Sequence, residues 1–223
     1  MEPIARSFQV HDLLKIHGNA VLRGEQPVPV WVTTTMRKNP WVVVRRAEQT
    51  AGNIPVGVRG PERHLRWAAS ISPDDVIARV SPEQLVADQA WYNLPEERWN
   101  IAAIGMIQQV AELWSRTERI WGPGGSVGFE LATGQEVTRP ESDLDLILRL
   151  PERLTPEQAT ELLEKLNTHL SISGKWSGVR LDLQAETAAG SFSLAEWARG
   201  GSKVMLKTCS GPILTNDPWE ISK

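Results

Sequence analysis

The chain has 223 residues, of which 41% are hydrophobic and 23% charged, with a net charge of −3 and one cysteine, Cys209. That length buries enough surface to fold without a metal or disulfide staple. The composition excludes collagen-like, coiled-coil and disordered classes, and a single thiol excludes an internal disulfide or a multi-cysteine zinc site.

No run approaches the ~18 consecutive apolar residues of a membrane span, and Met1 to Arg6 has no apolar stretch of leader length behind it. The expectation is a cytoplasmic protein that engages no membrane. The overall charge argues against a general nucleic-acid binder. Charge is nevertheless uneven: residues 1–80 carry 11 Lys and Arg against 7 Asp and Glu, whereas residues 81–223 carry 13 against 20. The basic half suits a polyanionic ligand or an acidic partner, or is an unevenly solvated surface.

In chain order, the first 60 residues read as β-rich. Residues 28–35 (VPVWVTTT) and 40–46 (PWVVVRR) are β-branched and aromatic runs, separated by Met36-Arg37-Lys38-Asn39, whose Asn-Pro step suits a turn. Residues 53–59 form a third strand. Ser72-Pro73-Asp74-Asp75 and Ser81-Pro82-Glu83-Gln84 each place a capping hydroxyl, a proline and acids at the start of a short helix. Over 96–119, Ala103, Ile104, Ile107, Val110 and Trp114 recur at helical spacing. Thr155-Pro156-Glu157-Gln158 is a capping box that opens a second long helix through Leu162, Leu166 and Leu170. Strands are expected at 119–121, 143–148 and 178–184. The second half therefore runs helix, strand, glycine-rich turn, strand, helix, strand.

Alternation on a strand puts Asp143 and Asp145 on one face while Leu144 and Leu146 enter the core. Two carboxylates so close repel, and a cation relieves them; oxygen ligands with water available suit magnesium. A plain acidic strand has the same pattern. Asp182, between Leu181 and Leu183, repeats it on a second strand and can join the same sheet face. Three such acids can hold metal and leave one carboxylate to take a proton from a hydroxyl.

The turn Trp121-Gly122-Pro123-Gly124-Gly125-Ser126-Val127-Gly128 is neither a P-loop nor a dinucleotide fingerprint. A helix starting near Ser126 would aim free N–H groups at an anion. Gly200-Gly201-Ser202-Lys203 resembles a phosphate loop superficially, and Lys203 and Lys207 are either phosphate contacts or solvated lysines.

Jointly, Gly125-Ser126, Asp143-Leu144-Asp145 and Leu181-Asp182-Leu183 resemble the nucleotidyltransferase superfamily of the DNA polymerase β type, with sixteen residues separating Ser126 from Asp143. The run from Gly124 to Gly134, then Arg139-Pro140-Glu141-Ser142-Asp143-Leu144-Asp145-Leu146, is similar to the phosphoribosyl-dephospho-CoA transferase of malonate decarboxylase. His11-Asp12-Leu13-Leu14, residues 42–47, residues 55–61 with Arg63 and Arg66, Lys207-Thr208 and Gly211-Pro212 extend the likeness along the chain.

The resemblance implies an α+β fold: a nucleotidyltransferase-like mixed sheet with flanking helices over 86–223, and a smaller β-rich basic domain over 1–85. It implies attachment of a prosthetic group from 2′-(5″-triphosphoribosyl)-3′-dephospho-CoA to a serine of the apo acyl-carrier subunit of malonate decarboxylase, with release of pyrophosphate. Asp143 and Asp145 would then be Mg2+ ligands, and Asp182 a third ligand or the base. Gly124, Gly125 and Ser126 would hold the leaving pyrophosphate. Arg59, Arg63 and Arg66, with Lys203 and Lys207, would contact the polyanionic substrate or the carrier. Two other readings stay open: AMP transfer from ATP by the same acids, and a non-catalytic module that keeps the fold.

Overall fold

A computed structural model describes residues 8–49, 52–62, 64–172 and 178–220. The chain divides into two compact units, Met1–Ser81 and Pro82–Lys223.

The first unit contains β1 (Leu13–Ile16), α1 (Val30–Lys38), β2 (Trp41–Val44), β3 (Ile54–Arg59), β4 (Arg66–Ile71) and β5 (Val76–Val80). Its five strands form one antiparallel sheet in the order β4-β3-β2-β1-β5. Leu14, Val42, Val44, Val56, Val58 and Ile71 line one face and build the core. The helix α1 corrects the strand expected over 28–35. Extended Pro29 precedes it, and the Asn39 N–H closes it on the Thr35 carbonyl at 2.8 Å. Val32 is buried, with Trp31 and Met36 packed beside it on the core. The helix penalty of β-branched residues, about 0.5 kcal/mol each, is smaller than the gain from burying that face.

A second correction falls at 72–75. Ser72 accepts a hydrogen bond from the Asp74 N–H at 3.3 Å, but the 3-10 turn Pro73–Asp75 is all the helix that forms. The chain then enters β5, which pairs with β1 through Leu14 and Arg79.

The second unit contains α2 (Pro82–Ala87), α3 (Ala102–Trp114), β6 (Ile120–Pro123), α4 (Gly125–Thr133), β7 (Leu144–Arg149), α5 (Pro156–Ile172), β8 (Leu181–Glu186), β9 (Ser191–Ser193), α6 (Leu194–Ala198), β10 (Val204–Thr208) and β11 (Gly211–Thr215). The long helix expected from 96 is interrupted. Residues Glu96–Asn100 form a 3-10 turn, and Ile101 is extended (φ −77°, ψ 117°) before α3 begins. The expected capping box is present: the Thr155 N–H donates to Gln158 Oε1 at 2.8 Å, and the Gln158 N–H to Thr155 Oγ1 at 3.2 Å.

The sheet order is β11-β10-β9-β8-β7-β6, with β7 and β8 parallel and the other neighbours antiparallel. The antiparallel β9-β10-β11 extension was absent from the sequence reading. Leu144, Leu146 and Leu148 of β7, with Leu183 and Ala185 of β8, are buried on one face. There Trp114 of α3 meets Trp121 edge-on at 5.0 Å. Phe192, Trp197 and Trp219 pack mutually, with the Trp197 indole N–H donating to the Leu154 carbonyl at 2.7 Å. Four of the chain's ten tryptophans, Trp114, Trp121, Trp197 and Trp219, are used in this edge-to-face packing. The architecture is α+β, a mixed sheet with flanking helices plus a smaller β-rich unit, as expected. Among the described residues, no helix is long and apolar enough to cross a membrane.

Candidate active site

The glycine-rich turn joins β6 to α4 and wraps around one carboxylate. Gly122 lies opposite Ile147 on β7, and a Cβ there would overlap the Pro82 carbonyl at the start of α2. The Gly124 N–H donates to the Asp145 carbonyl at 2.8 Å. Gly125 has φ +56°, and its Cβ would overlap the Asp145 carboxylate. Only glycine combines that backbone with so close an approach. The helix α4 starts at this point, with its first intrahelical bond running from the Gly128 N–H to the Gly124 carbonyl at 2.7 Å. Gly125 is exposed and Ser126 half-buried, at the positive end of the helix.

The parallel pairing of β7 with β8 decides what faces that turn. Asp145 is directly in register with Asp182, so the two carboxylates share a sheet face on strands roughly 4.8 Å apart. Both are half-buried, while Leu144 and Leu146 are fully buried on the opposite face. Asp143 is half-buried just before β7, where the Leu144 N–H is tied to the Arg180 carbonyl at 2.9 Å. The structure thus brings Asp145, Asp182 and Gly125 together, with Asp143 at the strand entry. Among the described residues, no three or more His, Cys, Asp or Glu form a group that could hold a metal ion by themselves. Asp143 and Asp145 are hard-oxygen donors too few to form a protein cage, so a magnesium ion held there would need water and substrate phosphates to complete its shell, with Asp182 beside them.

Further along the same face, Arg149 pairs with Glu83 of α2 at 2.8 Å and with Glu186 at 3.9 Å. The row Arg149, Glu186, Ser191 and Lys207 crosses four strands in register. Lys207 is therefore on the acidic face, but level with a position four residues along β7 from Asp145. Lys203 is exposed in the turn before β10. Arg59 and Arg66 belong to the first unit, and Arg63 lies outside the described residues.

The sequence reading missed Glu130 and Arg98. Glu130 on α4 is fully buried and accepts hydrogen bonds from Arg98 Nε at 2.7 Å and Nη2 at 2.9 Å. It also accepts from the Val137 N–H at 3.0 Å and the Thr138 N–H at 2.7 Å. Arg98 donates as well to the Thr138 carbonyl at 2.7 Å. Burial alone would raise the Glu130 pKa, but the hydrogen bonds from Arg98 and Thr138 and the charge of Arg98 outweigh it and lower it below the ordinary value. The pair clamps the segment after α4 onto the helix that presents Gly125 and Ser126, and that segment delivers Asp143. Through the Val137 and Thr138 N–H groups it folds the sixteen residues between Ser126 and Asp143 back onto α4. The available signal was a lone acid three residues after buried Val127 on an apolar helix.

Residues 90–218 match the family described as phosphoribosyl-dephospho-CoA transferase MdcG C-terminal domain, and residues 9–82 match its N-terminal domain. Among curated relatives, the phosphoribosyl-dephospho-CoA transferase of Pseudomonas syringae pv. tomato is 39% identical over 216 residues, covering 96% of this chain and 94% of that protein. The protein of the same name from Pseudomonas fluorescens strain Pf-5 is 37% identical, covering 94% and 92%. That of Pseudomonas aeruginosa is 34% identical, covering 96% and 94%. No solved structure matches the chain.

Proposed function

The chain belongs to the phosphoribosyl-dephospho-CoA transferase family and is an enzyme of that activity, and from this premise we propose its substrates, acceptor and chemistry. The donor is 2′-(5″-triphosphoribosyl)-3′-dephospho-CoA, and the acceptor is a serine of the apo acyl-carrier subunit of malonate decarboxylase. The observation that carries the proposal is the in-register pair Asp145 and Asp182 against the Gly125 turn.

The serine oxygen forms a bond to the phosphorus nearest the ribose, and the bond from that phosphorus to the pyrophosphate oxygen breaks. The serine proton passes to a carboxylate, for which Asp182 is our choice because it stands beside the pair's other member. The N–H groups at Gly125 and Ser126 and the helix end behind them stabilise the departing pyrophosphate. Asp143 and Asp145 would hold Mg2+, which when bound supplies positive charge to the polyphosphate. The Gly125 turn holds the Asp145 carboxylate in place before substrate arrives, which lowers the cost of reaching the reactive geometry.

The test is intact-mass spectrometry of the apo carrier subunit incubated with the enzyme, Mg2+ and donor. A gain of one phosphoribosyl-dephospho-CoA, lost in Asp143→Ala and Asp145→Ala, is expected. No gain on a carrier that a known transferase modifies would refute the acceptor. Incorporation of AMP from ATP would instead favour nucleotidyl transfer.

A further inference from the structure

The last two strands of the second unit carry an apolar and basic patch on the same sheet face as Asp145 and Asp182. Asp182, Gln184 and Glu186 alternate onto that face of β8. Glu186 lies opposite Ser191, and Ser191 opposite Lys207 of β10. Gln184 lies opposite Ser193, with which Met205 comes level two residues along from the Lys207 pair. Met205 in turn faces Leu214 of β11, and Lys207 faces Pro212. Lys203 stands just before β10. All five of Lys203, Met205, Lys207, Pro212 and Leu214 are exposed, Met205 at 47% and Leu214 at 63%. Val204 and Leu206, on the other side of β10, are buried.

Single exposed apolar residues are ordinary, but these are clustered. Among the described residues of the second unit, five large apolar side chains are exposed, and three of them, Met205, Ile213 and Leu214, lie in this hairpin. Moreover, β11 is an edge strand. Proteins ordinarily blunt an edge with charge or cover it, and a contiguous apolar patch rimmed by polar groups marks an interaction surface.

The reaction proposed above brings a protein to this face, because the acceptor's serine must reach Asp182. A stable interface covers about 800 Å² on each partner, a disc of roughly 16 Å radius. Ideal strand spacing and rise put Met205 about 12 Å and Leu214 about 16 Å from Asp182. An acceptor with its serine at Asp182 therefore reaches the patch. Charge points the same way: residues 81–223 carry 13 Lys and Arg against 20 Asp and Glu, so an acidic protein is attracted at Lys203 and Lys207 rather than to the unit at large.

We infer that the β10–β11 hairpin is the docking surface for the acceptor protein, which meets it with an apolar ridge bordered by acidic side chains. The inference rests on the protein-acceptor reading proposed above and adds where that protein is held.

The test is calorimetric titration of the full chain, without donor, with the apo acyl-carrier subunit of malonate decarboxylase whose serine is replaced by alanine. Steady-state kinetics on the unaltered carrier run alongside. Met205→Thr and Leu214→Thr keep strand-forming side chains at exposed positions, whereas Leu214→Asp and Lys207→Glu put negative charge into the patch. Each is expected to weaken carrier binding about tenfold or more. In the Met205 and Leu214 variants the KM for the carrier rises and that for the donor does not. Binding by Lys207→Glu depends less steeply on salt than binding by the parent. Parent-like carrier affinity in these variants, or a parent that modifies the carrier without measurable binding, overturns the docking surface. A parent dimer that Leu214→Asp disperses in sedimentation, with carrier affinity unaltered, gives the patch to a second copy of the chain and overturns it too. Failure of the transfer reading shows itself separately, as a carrier that binds through the hairpin and gains no mass from the donor.

Discussion

Replacing Glu130 tests whether the clamp behind the glycine turn supports both the fold and the site. The side chain is fully buried and accepts four hydrogen bonds, two from Arg98 and two from the N–H groups of Val137 and Thr138. The Arg98 side chain is itself only 13% exposed. Glu130→Ala removes one partner of a buried pair and leaves the guanidinium only the exposed Glu136 carboxylate at 3.6 Å, a loss of about 3–5 kcal/mol. The orphaned N–H groups belong to the same network, so their cost overlaps with this figure rather than adding to it. Glu130→Gln keeps the volume and one acceptor, and should cost about 2–3 kcal/mol.

Urea unfolding followed by tryptophan fluorescence reads both values. Arg98→Met combined with Glu130→Ala should cost less than the sum of the single changes, because neither charge is then left alone. The sign of the pH effect follows from the lowered folded-state pKa. The clamp's contribution is complete above the unfolded glutamate value of about 4.3. It is lost as pH falls through the lower folded value. The Gln variant should therefore show a flatter stability profile across that acid window. An unchanged midpoint in Glu130→Gln, or additive single and double variants, would refute the reasoning.

Gly125→Ala should leave the fold standing, since a left-handed alanine costs about 1–2 kcal/mol, yet its methyl group must displace the Asp145 carboxylate. A displacement of this size should lower kcat about 100-fold, and wild-type kinetics in carrier-modification assays would show that the carboxylate's position is immaterial. Gly122→Ala meets the Pro82 backbone carbonyl instead of a side chain. Overpacking there should lower thermal stability by about 1–3 kcal/mol, and an unchanged melting temperature would contradict the close α2–β6 approach.

The local alternation in Asp143-Leu144-Asp145-Leu146 and Leu181-Asp182-Leu183 was enough to assign which side chains leave the core, because strand geometry has a fixed period of two. The capping box at Thr155 was legible for a similar reason: its bonds span three residues. Other features depended on partners far along the chain. Asp145 faces Asp182 only because α5 carries the chain across to a parallel strand in that register, and a shift of one residue would turn Asp182 to the other side. Residues 28–35 have the local composition of a strand and fold into the region of α1, since apolar surface on the neighbouring sheet outweighs a small β preference. Glu130 and Arg98 are 32 residues apart, and neither neighbourhood announces the other. Short-range hydrogen bonds and side-chain periodicity are written locally; the meeting of charges across strands and loops is set by burial, which only the assembled fold decides.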